Sequence, residues 1–342
     1  MRKINDFAWH LSSFLSKYLP GERNMSTNTI AAYRDTFHLF LIFCEEEKGT
    51  SPNEITISLF TKEIITDYLD WLEKKRKCSI VTRNQRLSSI HGFFKYVQKE
   101  SPEDLFEIRR ILGISSKKAK KTIVPYLAEN ELMILFQQPD MKTKQGKRDL
   151  MLLILMYDTA ARVQELIDLR VKDIRLVSPA VITLHGKGNK TRQVPILGKT
   201  KDLLTGYLEE HKNNSWGIAV SDTPVFFNQK YQKLTRWGIS YVLEKYVELA
   251  KKNIGFVVNF PVTPHVLRHS KAMGMLKAGI NLIYIRDFLG HSNVVTTEVY
   301  ARADNEMKRK ALENSYKDLY ADKMPKWEEN KDLMQWLRGL CK

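Results

Sequence analysis

Five side chains in the second half of this chain are of types that could act together on a phosphate. Arg162 ends the apolar run MLLILMYDTAAR. His265 and Arg268 stand three apart in TPHVLRHS. His291 follows Gly290 in FLGHSN, and Tyr300 follows nine residues later in TTEVYAR. Thr263 or Pro264 starts a helix, so His265 and Arg268 share its first-turn face. The partial positive charge of the helix N-terminus adds to theirs and makes an anion site. Each residue alone has an ordinary explanation. Arg162 could offset the dipole at a helix C-terminus, a His after Gly often caps, and a Tyr on an amphipathic helix is usually core. The conjunction is what points to phosphate chemistry. His269, one position after Arg268, is expected to turn toward the core. A zinc site on His265 and His269 lacks the glutamate of H-E-x-x-H and a nearby third ligand.

These residues need elements to hold them. Helices are predicted over about 128–138, 145–160, 199–212, 238–253, 264–278, 281–289 and 294–302. Between the second and third, Val181, Thr183 and His185 alternate with Ile182 and Leu184, GKGNK supplies a turn, and RQVPI resumes extended character. This predicts a β-hairpin or three-stranded sheet near 172–196. The first 110 residues read as four helices, with one face each marked by Phe7, Leu11, Phe14 and Tyr18; by Ile30, Tyr33, Phe37, Phe40 and Cys44; by Ile65, Tyr68, Leu69 and Leu72; and by Leu87, Ile90, Phe94 and Val97. Ser26 or Thr27 could cap the second.

The expected fold class is therefore mainly α with a small β-sheet. An all-α N-terminal domain over 1–110 precedes an α+β domain over 127–303. Residues 111–126, with Lys117, Lys118, Lys120 and Lys121 among small residues and Pro125 after them, read as an extended basic linker that touches DNA. The tail over 304–342 is charged and helical, with Met307, Leu312, Tyr316 and Leu319 in one segment and Trp327, Leu333, Trp336, Leu337 and Leu340 in a second.

Composition narrows the partners. Lys and Arg number 55 against 39 acidic residues, a formal charge of +16. Residues 1–126 hold 21 basic and 15 acidic side chains, so both halves carry an excess and both could touch a polyanion. Cys44, Cys78 and Cys341 lie far apart, which excludes a C-x-x-C metal or redox motif and suits a reducing compartment. No run of 18 apolar residues and no signal-peptide core occur, so a cytoplasmic protein without a membrane partner is expected.

The order Arg162, Lys187, His265-x-x-Arg268, His291 and Tyr300 resembles the active-site set of the tyrosine site-specific recombinases, the phage-integrase family. TAARVQELIDLRVKDI is similar to the family's arginine box, with Glu165 three residues after Arg162. HGKGNKTRQVPI resembles the hairpin that bears its catalytic lysine, and PHVLRHSKAMGMLKAGINLIYIRDFLGHSNVVTTEVYA resembles its second box. The likeness is strong over about 130–302, whereas the N-terminal module matches the family's core-binding domain only in layout.

The resemblance implies a mechanism. Tyr300 attacks phosphorus and forms a 3′-phosphotyrosyl link, and the freed 5′-hydroxyl attacks the partner's link through a Holliday junction. Arg162 and Arg268 hold the two non-bridging oxygens, and His291 donates a further hydrogen bond. A phenol has a pKa of about 10, so the surrounding cations are expected to favour phenolate, with His265 as base. Lys187 protonates the leaving oxygen, with Lys190 and Arg192 as rivals for that role or for DNA contact. Glu165 orients its neighbours, and Asp173 and Arg175 look structural. No cofactor or metal is needed, because the covalent intermediate conserves the bond energy.

The implied partners are double-stranded DNA with specific sites and a homotetramer on it, with accessory or partner recombinases compatible. An integrase or transposition recombinase of a mobile element is favoured by the long ends of the chain over a chromosome-dimer resolvase of the Xer type. Type IB topoisomerase and a non-catalytic DNA-binding accessory protein are the remaining alternatives.

Overall fold

The computed structural model describes residues 6–100, 105–119, 124–186, 190–211, 220–291, 293–303 and 331–340. The chain divides into two compact units, Met1–Thr122 and Ile123–Lys342.

The first unit is helical. Its helices are α1 Asp6–Ser13, continued by a wider π-helical run Phe14–Glu22; α2 Thr27–Lys48; α3 Lys62–Lys74; α4 Ile80–Glu100; and α5 Leu105–Leu112. Ser26 caps α2 through its side chain, which accepts from the Thr29 amide, and Gly49 ends that helix at φ 62°. The faces legible in the sequence meet in an aromatic core, with Phe40 stacked on Phe60 at 4.6 Å and Phe37 edge-on to Phe93 at 4.8 Å. Helix α5 is an addition to the four expected. Its buried residues are Ile108 and Ile111, too few to carry a periodic signal across so short a helix. Beyond it, the stretch read as linker begins against this unit. The Lys117 backbone exchanges hydrogen bonds with the Asn84 amide, and its ammonium lies 2.6 Å from Glu73. Lys118 is exposed. Lys120 and Lys121 lie outside the described residues.

The second unit packs α6 Glu129–Phe136, α7 Lys144–Asp158, α8 Val163–Asp168, α9 Gly198–His211, α10 Arg236–Ala250, α11 Pro264–Lys277, α12 Leu282–Leu289 and α13 Val295–Ala303 with one antiparallel sheet. Its strands are β1 Ile174–Arg175, β2 Val181–His185 and β3 Thr191–Pro195, in that spatial order. The pairing of Ile182 with Val194 and of Leu184 with Arg192 sends these four side chains to one face. Ile182, Leu184 and Val194 are fully buried there. The protein is thus mainly α with a small three-stranded sheet. Among the described residues no helix is long and apolar enough to cross a membrane. A last helix, α14 Lys331–Gly339, leaves Trp336 61% and Leu340 60% exposed.

Candidate active site

Arg162 does not end the apolar helix. Helix α7 stops at Asp158, Ala160 takes a left-handed conformation at φ 45°, and Arg162 becomes the N-cap of α8. The turn aims its guanidinium away from α7, so the helix-dipole explanation for this arginine falls. Glu165, in the first turn of α8, accepts from the Arg162 amide at 2.8 Å and from Arg162 Nη1 at 2.9 Å. Arg162 Nη2 donates to the carbonyl of Gly290 at 3.1 Å.

Arg268 comes from the buried side of α11. Its Nη1 donates to the Ala160 carbonyl at 2.6 Å and its Nη2 to the Leu289 carbonyl at 2.5 Å. Two chain ends, the turn before α8 and the C-terminus of α12, are thereby held on one guanidinium. Burial, then the charges of Arg162 and Arg192, bring its pKa down to about 10, so it stays a cation at neutral pH.

Gly290 ends α12 at φ 63°, a conformation that costs an L side chain energy. The chain then turns to His291, whose Nδ1 pairs with the Thr297 hydroxyl of α13 at 3.0 Å. Burial, reinforced by Arg268 and Arg162, lowers the His291 pKa to about 4. His265 keeps an exposed edge on the first turn of α11. Partial burial and the charges of Arg268 and Arg162 hold its pKa below the ordinary value. Arg162, Gly186, Lys190, Arg192, Gly290 and His291 line one cleft.

Arg192 corrects the sequence reading. By sequence it is a candidate DNA contact or rival general acid, yet its Nη1 and Nη2 each donate to Glu165 at 2.8 Å, and its Nε donates to the Phe288 carbonyl at 2.9 Å. The period of two in β3, pairing it with Leu184, points it inward and carried that signal all along. Burial pushes the Glu165 carboxyl up, but Arg192 and Arg162 outweigh this and hold it below its usual range. Glu165 therefore orients both arginines. Lys190 is exposed, and Lys187 lies outside the described residues. Asp173 accepts from the Arg170 amide, and Arg175 donates to the Pro179 carbonyl, both as local braces.

Tyr300 is buried on the inner face of α13, against Ala160, Ala272, Met273, Ile285 and Leu289. Its hydroxyl meets His269 Nδ1 at 2.8 Å. His269 does face the interior, but its partner there is the phenol. The spacing 265, 268, 269 places all three on one helix face, which is the signal that could have revealed it. The expectation that cations favour phenolate is also corrected. Burial raises the Tyr300 pKa and outweighs the lowering effect of Arg268. Among the described residues, no group of three or more His, Cys, Asp or Glu side chains is gathered as a metal site would require.

Residues 125–307 match the model of the phage integrase family, and residues 12–101 that of the phage integrase N-terminal SAM-like domain. The Sinorhizobium fredii protein y4rC, assigned as an integrase/recombinase, is 32% identical over 99% of this chain and 100% of its own length. The tyrosine recombinase XerC of Bacillus pumilus is 31% identical over 86% of this chain and 92% of its own. The fold is shared with the Tn1549 transposon integrase, solved with transposon right end DNA (TM-score 0.67, 16% identity, 89% of this chain and 98% of that one). It is shared too with the XerH recombinase bound to difH (TM-score 0.66, 22% identity, 88% and 83%). The chain belongs to the phage integrase family. It is a tyrosine recombinase, an enzyme that cuts and rejoins DNA at specific sites.

Proposed function

We propose that this recombinase moves or integrates a mobile DNA element, with Tyr300 as the nucleophile. Arg162 and Arg268 bind the non-bridging oxygens of the scissile phosphate, and His291 and His265 complete its cradle. The convergence of Arg162 and Arg268 on the Ala160 turn and the Leu289–Gly290 turn is the observation that carries this reading. Both cations are already positioned by backbone carbonyls, so little reorganisation accompanies the transition state. Attack by the Tyr300 oxygen on phosphorus breaks the bond to the 5′-oxygen, which takes a proton from Lys187. The product is a 3′-phosphotyrosyl link. A 5′-hydroxyl of the second duplex then displaces the tyrosine, first building and later resolving a Holliday junction.

A homotetramer on two duplexes follows from four cleavage points. The exposed Trp336 and Leu340 of α14 give the apolar surface through which one protomer docks on the next. The integration reading is supported by y4rC, whose name gives it as an integrase/recombinase and which aligns over 99% of the chain, whereas the XerC of Bacillus pumilus aligns over 86%. A chromosomal Xer-type role uses the same chemistry. The flanking DNA separates the two, since a mobile element carries the recognition sites at its own ends.

The experiment uses a nicked duplex bearing the site recovered by binding selection, with adduct resolved on a denaturing gel. Adduct should form in EDTA, and Lys187→Ala should slow it. A 5′-thiolate leaving group, which needs little protonation, should restore much of the Lys187→Ala rate. Failure of that rescue removes Lys187 as the acid.

A further inference from the structure

The contact between His269 and Tyr300 has no part in the cradle just described. We propose that His269 is a catalytic residue, the base that takes the phenolic proton of Tyr300 as its oxygen attacks phosphorus. The proposal rests on Tyr300 being the nucleophile.

The geometry is direct. The phenol oxygen lies 2.8 Å from Nδ1 of His269, within the reach required for proton transfer. His265, the base suggested by position in the sequence, sits one helical turn earlier with its ring centre 6.4 Å from that of His269. The bond also spans two elements, α11 and α13. The helix that carries Arg268 to the phosphate therefore carries the proton acceptor to the nucleophile, and the two are adjacent in sequence. Tyr300 is only 2% exposed, so solvent has little access to its hydroxyl, and a proton leaving it needs a protein acceptor.

In the Nε2-protonated tautomer the neutral imidazole offers Nδ1 as acceptor, and the phenol donates. On attack the Tyr300 oxygen forms its bond to phosphorus, its proton moves to Nδ1, and the 5′-oxygen departs with a proton from the acid. Atoms and charge balance, with one proton entering His269 and one leaving the acid. In the rejoining step the phenolate leaves phosphorus and recovers its proton from Nδ1, so no oxidant, metal or external base is consumed.

Burial, with the charges around His269, explains why this base is quiet in the absence of DNA. It is faced by His265 and Arg268 on α11, by His291 after α12, and by Tyr300 on α13. Burial, then His265 and Arg268, lower its pKa to about 4, while burial raises that of Tyr300. Both shifts keep the proton on the phenol. A phosphate held by Arg162 and Arg268 brings negative charge into the same pocket. That charge offsets the part of the shift due to His265 and Arg268, so the base gains strength when substrate is present.

The test measures single-turnover adduct formation on the nicked duplex with the full-length protein. His269→Ala should reduce the rate at pH 7 by roughly 10²–10⁴, the range for loss of a general base, and leave DNA affinity intact. The loss should shrink as the pH rises toward 9.5, because a growing fraction of the phenol is then ionised without the base. It should also shrink when position 300 carries 3,5-difluorotyrosine, whose phenol is more acidic. A variant merely damaged in folding loses as much with either phenol, so that comparison holds whatever the effect on stability. The proposal is overturned if His269→Ala cleaves as fast as the parent or faster, or if the loss is the same for tyrosine and difluorotyrosine. Tyr300→Phe, run alongside, separates the two levels. Adduct from that variant removes the nucleophile and the base together, whereas its absence with a normal His269→Ala removes only the base.

Discussion

At the scale of single residues the site is a balance of charge. Three arginines, Arg162, Arg192 and Arg268, are drawn close, and Glu165 accepts from two of them. Its carboxylate is almost wholly buried, so Glu165→Gln leaves a cation uncompensated and should cost about 3–5 kcal/mol, read by chemical denaturation. Acid should weaken the fold for two reasons of the same sign. The Glu165 pKa is lower folded than unfolded, so its contribution exists above the unfolded value and is lost as pH falls through the folded one. His269 and His291 titrate near 4 when folded, so the unfolded chain takes their protons first, and stability drains between about 6.5 and 4. The melting temperature should fall across that interval, and His291→Gln should flatten the fall. An unchanged slope in the variant would remove His291 from this account. In the cradle, Arg162→Ala or Arg268→Ala should each lower the cleavage rate by roughly 10²–10³, with DNA affinity changed far less. The residue types of the cradle were legible in the sequence because a phosphate needs cations and hydrogen-bond donors, and their order was legible through the resemblance to the family. The burial that reverses the expected shift of Tyr300 was not, since it depends on how α13 lies against α11.

At the scale of elements, two short turns do most of the positioning. The first, at Ala160, converts the end of α7 into the start of α8 and swings Arg162 toward Gly290. The second, at Gly290, needs φ 63°, and a Cβ there would lie 3.1 Å from the Arg192 side chain. Arg192 is pinned to Glu165 and Phe288 and cannot move aside. Gly290→Ala should therefore lose about 1–2 kcal/mol from backbone strain, more with the clash, and cleave slowly while still binding DNA. Parent-like melting and cleavage would show that the turn tolerates a side chain. The hairpin was predicted from its alternation, and its third strand was left open because β1 has only Ile174 and Arg175. Helices α2 to α4 were legible from their apolar faces, whereas α5 was too short to declare itself. The turn at Gly290 was legible as the break between the helices expected over 281–289 and 294–302, whereas the one at Ala160 was not, since Ala160 adopts a conformation its residue type disfavours.

At the scale of the whole molecule, the excess of basic residues in both units predicts that DNA affinity falls steeply with salt, as counterions are released. A salt-independent affinity would contradict phosphate contacts as its main source. Truncation after Lys323 removes α14 with its exposed Trp336 and Leu340. It should leave a single protomer's DNA binding intact and weaken synapsis, measured by gel shift with two duplexes. If the shortened protein assembles and recombines as the full chain does, α14 is not the coupling helix. The chemistry depends on one covalent bond, and its detection is the most direct measurement. The nicked duplex should trap protein on DNA, and mass spectrometry of the digested adduct should place a nucleotide on the peptide containing Tyr300, with none in Tyr300→Phe. A nucleotide on Tyr316 or Tyr320, or an adduct that survives Tyr300→Phe, would contradict the account.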